Sequence, residues 1–222
     1  LEKKDAGAKP AAKSGTSCES CHGASSEWLA LHDNYGGKDV KREQEAPDNK
    51  VKRVADSQAA GLIWPSMQFE VAENCMTCHG LAHPGLKADD LAKMLGAGHP
   101  INTDFELVKY SQGSVRHRHY PPDIKTNAEM TPQELANIYV VGQAAALVSA
   151  TEAMSKSGEA KYKEAQNKRV EIAKAALSGI SEAAGLLAAP TRQNALSFVK
   201  SVAGKDLTGA IGSKLPAKSD YK

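Results

Sequence analysis

Aromatic residues are scarce in this chain: three Phe, two Trp and six Tyr, 5% of 222 residues. Aromatic side chains normally supply much of the area a core buries. A chain this poor in them either packs small aliphatics or borrows a large apolar body. Long hydrophobic runs are also missing. The longest candidate, around Ala144–Val148, falls far short of the roughly eighteen apolar residues a membrane span needs. Charge of one sign is lacking too: the formal net charge is +2, and Lys and Arg are not interleaved with aromatics. That balance is too small to suggest nucleic-acid binding, and no nucleic-acid partner is expected. There is no G-x-S-x-G, P-loop or dinucleotide fingerprint, and no convincing period-2 alternation. A mainly α fold with few or no strands is therefore expected. The chain starts at Leu1 without methionine, which fits a mature exported form whose signal peptide has been removed.

Cysteine is also sparse, but its placement is informative. All four lie in two matching pentapeptides, Cys18-Glu19-Ser20-Cys21-His22 and Cys75-Met76-Thr77-Cys78-His79. C-x-x-C-H is the attachment signature of haem c. The two-residue gap places both sulfurs on one side of a helical turn, where they can add to the two vinyl groups of one porphyrin. The following His then faces the iron as proximal ligand. A zinc ribbon usually separates its C-x-x-C pairs by about 15–20 residues, far less than here. A redox dithiol belongs near a βαβ pattern, and none is visible. With seven His in 222 residues, a His after one motif by chance is about a 3% event. Two haem c groups are therefore expected, on Cys18, Cys21, Cys75 and Cys78, with His22 and His79 as proximal ligands. Covalent haem attachment implies export to the periplasm. Two porphyrins would also supply the apolar bodies that the aromatic content lacks.

Haem function turns on the sixth ligand. His32, His83, His99, His117 and His119 remain, with Met67, Met76, Met94, Met130 and Met154. His99 is the leading distal candidate: it sits in Gly96-Ala97-Gly98-His99-Pro100 after a short helix expected at Asp89–Leu95. Glycine there lets backbone approach a flat macrocycle, and Pro stiffens the exit. His32 is second, and cross-ligation of the other haem is the expectation, because the helix leaving the first motif carries it away from its own porphyrin. His117 and His119 are the distal alternatives. Together with Arg116 and Arg118 they are also candidates for propionate contacts. His83, four residues after His79, lies on the proximal side. Met76 lies inside a motif, and Met67 and Met94 read as packing residues. Two bis-histidine haems are expected, which implies low potentials.

Three stretches resemble the multihaem c-type cytochromes grouped with the tetrahaem electron acceptor of hydroxylamine oxidoreductase. They are Ser17-Cys18-Glu19-Ser20-Cys21-His22-Gly23 with Glu27-Trp28-Leu29 and His32, then Gly98-His99-Pro100 with Phe105-Glu106-Leu107, then Val140-Val141-Gly142-Gln143-Ala144-Ala145-Ala146-Leu147. The likeness runs from about Ser14 to Ser157. It implies distal histidines at His32 and His99 and a periplasmic electron shuttle. Members of that group usually bind four or more haems. This chain has two attachment motifs and no further one in its C-terminal half.

Along the chain, residues 1–13 read as a flexible lead-in and 14–127 as the dihaem region. Residues 128–204 read as C-terminal helices packing on it, and 205–222 as a loose tail. A helix over Asp48–Ile63 carries Val51, Val54, Ala55, Ala59 and Leu62 at helical spacing. Thr131-Pro132-Gln133-Glu134 is a capping box with Pro at the first helical position. After it, Leu135, Ile138, Tyr139, Gly142, Ala145, Ala146 and Ser149 share one face. A second long helix is expected over Glu159–Leu187, with Val170, Ala173, Leu177, Ile180 and Ala184 inward, then a shorter one over Arg192–Val202. These helices cover haem edges, or form a homodimer or complex surface. The functional expectation is an electron carrier with protein redox partners. The competing readings are a haem enzyme with one open iron (a peroxidase, or a reductase of a small nitrogen or sulfur compound) and a haem subunit or sensor of a larger complex.

Overall fold

The computed structural model describes residues 17–114, 116 and 128–222. Among them the regular structure is helical, with no strand, as composition and periodicity lead one to expect. The helices are α1 (Cys18–His22), α2 (Pro47–Ala59), α3 (Gln68–His79), α4 (Ala88–Gly96), α5 (Leu107–Ser111), α6 (Pro132–Ala153), α7 (Ala160–Leu177), α8 (Ala184–Ala188), α9 (Arg192–Val202) and α10 (Thr208–Ile211). Short 3₁₀ turns lie between some of them. No described helix is long and apolar enough to cross a membrane. The chain divides into two compact units, Leu1–Trp64 and Pro65–Lys222, each holding one C-x-x-C-H motif.

The first unit contains α1 and α2. Pro47 opens α2 at a position where a missing N–H costs nothing. Of the five apolar residues at helical spacing, Leu62 is buried just past the helix end and Val54 is half-buried, but the other three face out. Val51 is 72% exposed, Ala55 and Ala59 are exposed, and Arg53 and Ser57 point inward instead. The cause is the bidentate pair Arg53–Glu45. Nε and Nη2 donate to the two carboxylate oxygens at 2.7 Å each, and Nη1 donates to the His32 carbonyl at 2.7 Å. The guanidinium also lies 5.0 Å from the Tyr35 ring centre and 5.7 Å from that of Trp64. A fork of fixed donors served on all sides outweighs burial of a valine. Among the described residues of this unit, Trp28 and Leu62 are the buried hydrophobics.

The second unit is a bundle around α6. Thr131 caps it, accepting from Glu134 N–H at 3.3 Å while the Glu134 carboxylate accepts from Thr131 N–H at 2.8 Å. From Ile138 to Ala150 every residue of α6 is buried, on all faces rather than the single face expected. A helix apolar all round is one surrounded by partners, and α3, α5, α7, α9 and α10 supply them. The expected long helix over Glu159–Leu187 is two pieces. α7 ends at Leu177, Ser178-Gly179 breaks the run, and a 3₁₀ turn at Ser181–Ala183 leads into α8. Arg192–Val202 forms as expected, with Thr191 accepting from Asn194 N–H at 3.2 Å. Residues 205–222, expected to be loose, pack instead. Leu207 and Ile211 are buried, Lys222 N–H donates to Lys109 O at 3.0 Å, and Ser114 N–H donates to Lys222 O at 2.8 Å. A smaller cluster of Leu81, Leu91, Ala153 and Tyr162 seats α4.

Candidate cofactor attachment sites

Each motif occupies a helical turn. Cys18, Cys21 and His22 span all of α1, and Cys75, Cys78 and His79 form the last turn of α3. Cysteines three apart on a helix are surface neighbours, with Cβ atoms about 5–6 Å apart. Cys18 and Cys78 are exposed, and Cys21 and Cys75 are half-buried. Cys75 also packs against the main core.

His22 is held at two points by one residue. Its carbonyl accepts from Ile63 N–H at 3.0 Å, and its ring Nδ1 lies 2.7 Å from Ile63 O. A carbonyl only accepts, so Nδ1 carries the proton and the Nε2 lone pair faces away from the backbone. This is how proteins fix the tautomer of a metal-ligating imidazole. Gly23 makes the clamp sterically feasible. Its φ is +83°, and a Cβ there would lie 2.7 Å from Gly61 O.

His79 is set differently. Its ring stacks on Phe105 at 4.3 Å between centroids and 25° between planes, with Tyr110 at 5.0 Å. Asn102 Nδ2 donates to Tyr110 Oη at 3.1 Å, which anchors that wall. Burial holds the His79 pKa below the ordinary imidazole value, so the neutral, metal-binding form dominates at neutral pH.

Two further histidines share the His22 arrangement. His99 follows α4 in a Schellman turn. Gly98, at φ +84°, donates to Leu95 O at 3.0 Å, and His99 N–H donates to Met94 O at 2.9 Å. Its Nδ1 donates to Pro100 O at 2.8 Å, and the ring is exposed. His32 Nδ1 donates to Leu29 O at 2.7 Å, and its ring meets Trp28 edge-on at 5.3 Å. Both leave Nε2 as the basic nitrogen. His83 is the opposite case: its Nδ1 accepts from Gly85 N–H at 3.0 Å, so in the neutral ring the proton sits on Nε2. His117, Arg118 and His119 lie outside the described residues. Arg116, a candidate propionate contact, has Nη1 3.6 Å from Glu129 Oε1. Met76 is 2% exposed inside the core, and Met94 packs in the Leu81 cluster.

No family model, curated protein or solved structure matches the chain.

Among the described residues, no three or more His, Cys, Asp or Glu converge as a metal cluster. A haem iron takes four nitrogens from its porphyrin and needs only one or two imidazoles from the chain, so its site is not such a cluster. Sequence reading missed the partners that orient the rings: Ile63, Leu29 and Pro100 act through backbone carbonyls, which carry no residue signature. It also missed Tyr162, Gln166 and Arg169, whose 4- and 3-residue spacing on α7 is a legible polar stripe.

Proposed function

We propose that this chain is a dihaem c-type cytochrome, exported to the periplasm, that carries single electrons between protein partners, and that it is a two-haem relative of the multihaem group it resembles. The observation that carries the reading is the His22 ring: the histidine designated by the motif has its proton fixed on Nδ1 by Ile63 O at 2.7 Å. Cys18 and Cys21 would hold one haem by thioether bonds with His22 as proximal ligand. Cys75, Cys78 and His79 would hold the second. His99 and His32 are the distal candidates, each with Nε2 left basic. When bound, each haem supplies a one-electron iron couple.

The chain's own residues set the conditions around that couple. Ile63, Leu29 and Pro100 carbonyls hold protons at Nδ1 and raise the basicity of Nε2. Phe105 and Tyr110 wall one side of the half-buried His79 ring. The residues of the first unit suit a propionate-bearing group, because Trp28 Nε1 and Ser57 Oγ are buried donors without a hydrogen-bond partner. Buried donors rarely stay unsatisfied, and a carboxylate would accept from the indole. The C-terminal helices are the candidate docking or dimer surface.

The test is a preparation matured by haem-attachment machinery. Two haem additions in the intact mass are expected, one lost in C18A/C21A and the other in C75A/C78A. EPR of the oxidised protein should show two low-spin signals unmoved by cyanide, and the reduced protein should not bind carbon monoxide. Reactive thiols without haem mass would sink the cofactor reading. A high-spin component that binds either ligand would replace the carrier with an enzyme or sensor.

A further inference from the structure

Tyr162, Gln166 and Arg169 share one face of α7 and are 0%, 0% and 4% exposed. All three reach the chain around the second attachment turn. Tyr162 Oη donates to Leu81 O at 2.9 Å, and Gln166 Nε2 donates to Gly80 O at 2.9 Å. Arg169 Nη1 donates to Gln166 Oε1, while Nη2 lies 3.0 Å from Met76 Sδ and 3.3 Å from Ser149 Oγ. Met76 sits between Cys75 and Thr77 inside the motif. Gly80 follows His79, and a Cβ there would fall 2.4 Å from Arg169 Nη1. The space left by the missing side chain is the space the guanidinium fills.

Every partner of Arg169 is neutral: an amide, a thioether and a hydroxyl. Among the described residues no carboxylate faces it. Burial lowers its pKa to about 10, which leaves it charged at neutral pH. A buried cation without a counter-charge is costly to keep. Packing alone could be met by a methionine or leucine.

We propose that Arg169 sets the reduction potential of the haem carried by Cys75 and Cys78, by holding a fixed positive charge behind the attachment turn. The inference rests on the dihaem reading. Gain of one electron from a redox partner lowers the charge at that iron by one, with no proton moved at Arg169, so a nearby cation favours the reduced form. Burial shields the charge from salt. A unit charge on the order of 10 Å from a one-electron centre, at an effective dielectric near 20, biases it about tenfold.

The experiment is a mediated potentiometric titration of the two-haem protein followed by visible absorption. In R169M, one midpoint should fall by about 59 mV, the equivalent of tenfold for one electron, while the other stays. R169K, which keeps the charge, should restore most of it. S149D places a carboxylate beside the guanidinium and should lower the same midpoint with Arg169 still present. It serves if R169M does not fold. Unchanged midpoints in R169M or S149D overturn the proposal. So does an equal fall in R169M and R169K, which would mark packing rather than charge. Absence of haem mass on the Cys75–Cys78 peptide of the unaltered protein sinks the cofactor reading instead, and mass spectrometry shows it before any potential is measured.

Discussion

Gly98 gives the cleanest separation of backbone conformation from contact. Its φ is +84°, and a Cβ built there meets nothing within 4 Å. G98A therefore adds no clash; its cost is that of an L-residue in left-handed backbone, about 1–2 kcal/mol. The same turn holds His99 through its N–H to Met94 O at 2.9 Å. Two readouts follow. If the turn is kept, the strain appears as lost stability, about 2–4 °C in Tm per kcal/mol for a chain of this size. If the turn relaxes, His99 is displaced, and on the dihaem reading 1–2 kcal/mol would weaken its ligation by roughly 5–30-fold. That appears as a high-spin fraction in the oxidised spectrum, reversible by added imidazole. G98N, whose side chain tolerates left-handed backbone, should lie between G98A and the parent. A G98A protein as stable as the parent would refute the backbone reasoning. A destabilised protein whose haems stay fully low-spin, together with an H99A protein that does the same, would refute His99 as a ligand.

G23A should cost more than G98A, because the positive φ of +83° is joined by a 2.7 Å approach to a backbone oxygen that has no side-chain freedom to yield; chemical denaturation of the two variants side by side checks the order. Y162F removes the donor to Leu81 O inside the core and should lose about 1–3 kcal/mol, read as a shift in denaturant midpoint. Glu106 is 8% exposed, and desolvation raises its carboxyl pKa despite N–H bonds from Val108 and Lys109. The folded state then holds the proton more tightly than the unfolded state. Its contribution to stability is full below the ordinary value of 4.5 and declines as pH rises through the folded value. E106Q should flatten that part of the stability–pH curve, and an unchanged slope in urea titrations across this range would refute the assignment.

Local signals carried far where chemistry is local. Thr131-Pro132-Gln133-Glu134 starts α6 where the capping box puts it, and the C-x-x-C-H turns are helical, as their spacing demands. What failed was the choice of face. Val51, Ala55 and Ala59 look like a core stripe, yet the pairing of Arg53 with Glu45, just before the helix, turns α2 the other way. Periodicity detects which residues share a face but not which partner that face meets. The α7 stripe failed for a related reason. Tyr162, Gln166 and Arg169 are polar, so an apolar template passes over them, although Leu81 O, Gly80 O and Met76 Sδ give them partners inside. The ring tautomers of His22, His32 and His99 were beyond sequence because backbone carbonyls decide them.

The two units differ in what holds them together, and this yields the sharpest test of the dihaem reading on stability. The second unit has its own core, with Phe69, Leu147, Leu177, Leu186, Phe198 and Ile211 each 2% exposed or less. Among the described residues of the first, Trp28 and Leu62 are the buried hydrophobics, Leu29 and Val51 stand 58% and 72% exposed, and Trp28 Nε1 and Ser57 Oγ lack partners. Segments this small rarely gain enough from apolar burial to offset chain entropy without a disulfide, metal or other staple. A covalently attached macrocycle would both bury apolar surface and restrict the unfolded chain. On the dihaem reading, C18A/C21A should therefore abolish hydrogen-exchange protection in α2 while leaving α6, α7 and α9 protected. On the same reading, C75A/C78A should leave the bundle folded, with losses confined to the end of α3 and its Phe105–Tyr110 wall. If α2 keeps full protection without its haem, the Arg53–Glu45 pair and its neighbours suffice as a core, and the porphyrin is a passenger in that unit.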